Sequence, residues 1–152
     1  MSRIGIDENL FSEYLNQIKT LGGDIKATTE EALKATHAYI TPNLKRDIQK
    51  HKRTGKTERS LIDKAEIKWE GSVAEVRVGF DIANGGLPSL FLMYGTPKHA
   101  PANQYGKYDG AVGGIDKDEQ LYNDIYGTRT NREVKKIQEE ILTEAVKKAM
   151  GG

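Results

Sequence analysis

The chain has 152 residues, 37% apolar and 30% charged, with a net charge of +1. A chain of this length forms one domain, or a domain with an extended arm, and buries about two-thirds of its unfolded surface. Near-neutral charge argues against a protein that grips nucleic acid over its whole surface. The absence of cysteine removes disulfides, thiolate catalysis and cysteine-based metal sites.

The segment Met1-Ser2-Arg3-Ile4-Gly5 lacks the apolar core of a signal peptide. No stretch reaches the ~20 apolar residues of a membrane span. A soluble protein made in a cytoplasm is therefore expected. Residues 7–21 place Leu10, Phe11, Tyr14, Leu15, Ile18 and Leu21 at helical spacing, with Asp7 as N-cap and Gly22-Gly23 as the stop. Residues 1–22 thus read as an N-terminal helical segment ahead of a domain over 23–152. A longer helix spans residues 24–51, with a stripe through Ile25, Ala32, Leu33, Thr36, Tyr39, Ile40, Leu44 and Ile48. Pro42 predicts a kink or a brief break within it.

Residues 61–69 and 73–80 alternate apolar and polar around the turn Glu70-Gly71-Ser72. They predict a hairpin with one buried and one wet face, covered by the stripe of the long helix. Residues 81–88 read as loop. The run Leu90 to Tyr94 is too short for periodicity to separate helix from strand. Residues 95–115 read as a long glycine-rich loop carrying Tyr105 and Tyr108, and loops of that length are often functional. Residues 116–126 predict a helix opened by Asp116 and Glu119 and ended by Gly127. Thr130 and Glu133 form a capping box for a last helix to about Met150, with its stripe on Val134, Ile137, Ile141, Leu142, Ala145 and Ala149.

Gly55-Lys56-Thr57 invites comparison with a phosphate loop. That motif requires a glycine where Lys50 stands, and a preceding strand where this chain has a helix. The simpler reading is a helix-ending turn, with Gly55 left-handed and Ser60 starting the strand. Lys45, Arg46, Lys50, His51, Lys52, Arg53, Lys56 and Arg59 form a basic cluster that can contact phosphates or a protein, but equally suits a helix C-terminus. His37, His51 and His99 lack metal-ligand spacing, and His37 reads as a helix-face residue. Carboxylates fall in first turns and on solvated faces, and no serine stands in a nucleophile elbow. No catalysis, cofactor or metal is expected.

The order of these features resembles the tail-completion, or head–tail joining, proteins of long-tailed bacteriophages. The resemblance runs over about residues 23–150. It rests on the lysine- and alanine-rich helix Ile25 to Lys52, the turn Thr54-Gly55-Lys56-Thr57-Glu58-Arg59-Ser60-Leu61, the hairpin, the corner Leu90 to Thr96 with Pro97-Lys98 and Pro101, and the closing helix Arg132 to Met150. The family usually has an acidic residue before its Gly-Thr and a Pro-Phe-Leu phrase after it. Here Met93-Tyr94 precede Gly95, no such phrase follows, and residues 97–127 form an inserted loop and helix.

The resemblance implies an α+β fold, a long N-terminal helix and a C-terminal helix packed on a small antiparallel sheet. It implies a structural virion protein of the phage neck, monomeric in isolation and assembling in the particle into a ring, commonly a hexamer. The ring meets the head connector on one side and the tail tube on the other, and DNA passes through its lumen without sequence-specific contact. Arg53, Lys56, Arg59, Tyr94, Thr96, Lys98, Tyr105 and Tyr108 are then the candidate interface residues. The alternative is a nucleic-acid-binding or regulatory domain that uses the Lys45–Arg59 cluster.

Overall fold

The computed structural model describes residues 2–97 and 114–151. The fold is α+β. A strand β1 (Ser2–Gly5) leads into helices α1 (Glu8–Thr20) and α2 (Ile25–Ile48), and a 3-10 turn and the short helix α3 (Lys56–Arg59) follow. The hairpin strands β2 (Ile67–Glu70) and β3 (Val73–Val78) come next, then α4 (Leu87–Tyr94), α5 (Glu119–Tyr126) and α6 (Thr128–Met150).

The sheet is antiparallel in the order β1-β3-β2, so β3 is its centre. The alternation in β3 puts Ala74, Val76 and Val78 inward, where they meet Leu33, Ile40, Leu44 and Ile48 of α2. β1 was not expected: four residues carry too little pattern to read, and only pairing with β3 holds them extended. In the other strand Leu61 joins the sheet through one bridge to Phe80, and regular pairing starts at Ile67. Ser60 does not begin a strand. It ends α3, its hydroxyl donating to the Thr57 carbonyl at 2.6 Å.

The helix α2 runs unbroken through Pro42, so the expected break does not occur. Ala38, whose carbonyl Pro42 cannot serve, lies at an exposed position where water can serve it instead. α6 packs along α2, and α1 packs on α6 through Phe11, Ile18 and Leu142. The buried row of α6 is Thr130, Val134, Gln138 and Leu142, while Ile137 and Ile141 are half-buried. Spacing by four residues follows one helix face, and apolar character alone misplaces it because two members are polar.

Both predicted caps after residue 115 are corrected. Asp118, not Asp116, caps α5 by accepting from the Leu121 N–H at 3.1 Å. Thr130 is inside α6, and Gly127 occupies the N-cap. The Thr130 hydroxyl instead donates to the Asn123 carbonyl at 2.6 Å, tying α6 to the last turn of α5. A side chain on Gly127 would meet that same carbonyl at 2.7 Å, so the tight α5–α6 corner requires glycine there. The run Leu90 to Tyr94 is helical, opened by Pro88 in its first turn. No helix among the described residues is long and apolar enough to cross a membrane.

Candidate interaction face

The end of α2, the α3 turn, α4 and the start of α5 converge at one corner of the molecule. Gly55 adopts φ +79°, as the turn predicts, and sends the chain from the helical end into α3. Asp118 fastens three elements there. Its Oδ2 lies 2.7 Å from His51 Nε2 and 3.5 Å from Lys50 Nζ, and its N–H donates to the Leu92 carbonyl at 2.7 Å. Burial would raise the Asp118 carboxyl, but hydrogen bonds from His51 and the Leu121 N–H and the charge of Lys50 outweigh it and hold the group below the usual range.

Between these elements lies a groove of about 460 Å³ whose apolar lining includes Ile48, Leu92 and Ile115 and whose rim carries Arg53 and Lys56. Much of the basic cluster is already engaged. Arg46 pairs with Asp47, Lys50 and His51 with Asp118, and Lys52 with Glu58 at 3.3 Å. Arg59, though exposed, donates to the Thr54 carbonyl. Among the described residues, Lys45, Arg53 and Lys56 have no acidic partner.

The adjacent face of α4 is apolar and open. Leu87, Phe91 and Tyr94 follow one another at positions i, i+4 and i+7 and are 47%, 42% and 56% exposed. Tyr94 stacks edge-on against Tyr122, which packs at 5.0 Å on Tyr126, itself bonded to the Ser2 hydroxyl. Lys117 Nζ sits 4.0 Å over the Tyr122 ring. A hydrogen bond with Tyr126, followed by burial and neighbouring phenols, keeps the Tyr94 phenol above its ordinary value. Thr96 pairs with Ile115 through two backbone hydrogen bonds of 2.8 and 3.1 Å, which holds Ile115 at the groove.

Of the residues singled out in the sequence, Arg53, Lys56, Arg59, Tyr94 and Thr96 thus gather at this corner. Lys98, Tyr105 and Tyr108, with most of the glycine-rich loop, lie outside the described residues. Leu87 and Phe91 were missed, because their exposure depends on how α4 is rotated and not on composition. His37 lies on the buried face of α2, its Nε2 2.8 Å from the Ile62 carbonyl.

One further cluster corrects the placement of all carboxylates on solvated faces. Asp47 of α2 and Asp124 of α5 are 3% and 9% exposed, and their carboxyls lie close enough to perturb each other's ionisation. Burial would raise Asp47, but its bonds from Asp124 and Arg46 hold it low. Burial first, then the bond and charge of Asp47, push Asp124 up to about 8. A signal existed: each aspartate occupies an apolar-stripe position, Asp47 beside Leu44 and Ile48, Asp124 beside Leu121 and Ile125. Among the described residues no group of three potential metal ligands comes together. No family model matches the chain, and neither a curated protein nor a solved structure matches it.

Proposed function

We propose that the chain is a non-catalytic structural subunit of a bacteriophage neck, joining the completed tail to the head connector as one member of a ring. The observation that carries the reading is the open apolar face of α4, Leu87, Phe91 and Tyr94, lying beside a groove rimmed by Arg53 and Lys56, which have no acidic partner among the described residues. Contiguous exposed apolar surface with a polar rim marks a binding surface for another protein. The helix–turn–hairpin–Tyr-Gly-Thr order, with its resemblance to tail-completion proteins, supplies the biological setting. Connector, tail tube and neighbouring copies are the proposed partners, and the virion is the proposed location. Particles made without this chain are expected to accumulate filled heads and separate tails under electron microscopy. Normal joining in its absence would overturn the proposal.

A second reading, nucleic-acid binding through Lys45, Arg53 and Lys56, is favoured by their lack of acidic partners. Phosphate contact by these side chains gives a log–log salt slope of about −0.9 per contact on duplex DNA. The neck reading expects no measurable slope near physiological salt.

A further inference from the structure

We propose that Asp47 and Asp124 share one proton, and that this proton latches α5 onto α2. The argument starts from hydrogen-bond satisfaction. Asp124 Oδ2 is buried and meets no hydrogen-bond donor among the described residues. Its neighbour across the α2–α5 contact is the carboxyl of Asp47, whose oxygens already accept from Arg46 Nε at 3.2 Å and Nη2 at 3.5 Å. Two buried carboxylates facing each other repel, and a single proton turns that repulsion into a strong hydrogen bond.

The surroundings decide which carboxyl keeps the proton. On the α2 side Arg46 and Lys50 lower Asp47. On the α5 side Asp118 adds a further negative charge that opposes ionisation of Asp124, and Arg46 only partly offsets it. Arg129 of α6 and Tyr39 of α2 line, with Asp124, a cavity of about 630 Å³. Asp47 is therefore the acceptor and Asp124 the donor, in agreement with the opposite directions in which the two groups are shifted.

The latch matters because of what α5 carries. Asp118, Tyr122 and Tyr126 all belong to α5 or its cap, and they fix the groove and the tyrosine stack. Loss of the proton places two like charges across the α2–α5 contact and loosens that platform. The regulatory consequence rests on reading the α4–α5 face as a docking surface, whereas the shared proton does not.

The sign follows from linkage. A carboxyl whose folded value is raised binds its proton more tightly in the folded than in the unfolded chain. Its contribution to stability is greatest below the unfolded value and is lost as pH rises to the folded value. The test compares the full chain with Asp124→Asn, whose amide donates to Asp47 at every pH. In urea titrations the unfolding constant of the native chain, relative to that of the variant, is expected to rise about tenfold per pH unit between pH 5 and 7.5 and to level above pH 8. A ratio that stays constant over this range overturns the proposal. Carboxyl carbon NMR of the native chain tests it without any variant. One aspartate is expected to titrate near pH 8, and titration of every aspartate below pH 5 overturns it. Neither readout involves a partner, so failure of the latch leaves the docking reading standing, and failure of docking leaves the latch.

Discussion

The Gln138 side-chain amide donates to Thr36 Oγ1 at 3.0 Å, deep between α6 and α2. The same nitrogen reaches the Gly5 carbonyl of β1 at 3.4 Å, and the Thr36 hydroxyl in turn donates to the Ala32 carbonyl at 2.8 Å. One buried amide therefore joins a helix, a second helix and a strand. Replacing Gln138 with methionine keeps most of its volume but leaves these acceptors dry. The expected cost is about 1–3 kcal/mol, read as a lower urea midpoint at unchanged slope.

Asp118 contributes stability with the opposite pH sign to Asp124. Its folded value is depressed, so its contribution is fully present above about pH 4 and is lost as pH falls through the folded value. Asp118→Ala removes the α5 cap and the partner of His51 and Lys50. A cost of about 1–2 kcal/mol at pH 6 is expected. The gap between native and variant melting temperatures should narrow as pH falls through the folded value and the native carboxyl becomes protonated. A gap that does not change with pH in acid would assign the loss to packing instead.

Phe91 and Leu87 separate function from folding. Both are substantially exposed, so Phe91→Ser and Leu87→Ser are each expected to change stability by no more than about 1 kcal/mol. The pair together is expected to abolish joining of heads and tails in a particle-assembly complementation assay, with a normal melting curve. Full complementation by the doubly substituted chain would remove this face from the proposed interface.

The α+β class, both long helices and the β2–β3 hairpin were legible because each repeats a period over enough residues to be unmistakable. Gly55 was legible for a different reason, since a helix-ending turn at that spacing needs a left-handed residue. What failed was local chemistry with more than one consistent partner. The sequence points to Asp116 as the α5 cap, yet the contacts of Asp118 with His51, Lys50 and Leu92 select Asp118. Thr130 followed by Glu133 matches a capping box, yet the Asn123 carbonyl captures its hydroxyl. At the candidate face, Arg53, Lys56 and Tyr94 were found by type. The engagement of their neighbours by Asp47, Glu58 and Asp118 could not be read, because these pairs depend on side-chain direction rather than order.

The strand order β1-β3-β2 bears on the route by which the chain folds. β3 first meets β2, its neighbour across a tight turn, whereas its pairing with β1 joins residues 2–5 to residues 75–78 and closes a very large loop. Loop closure of that kind is slow and comes late. Substitutions at Val76 that weaken the α2–β3 core are expected to slow refolding, while Ile4→Ala accelerates unfolding and leaves the refolding limb of the chevron in place. The β1 strand is therefore expected to act as a kinetic clasp, setting how long the assembled sheet survives more than how quickly it forms.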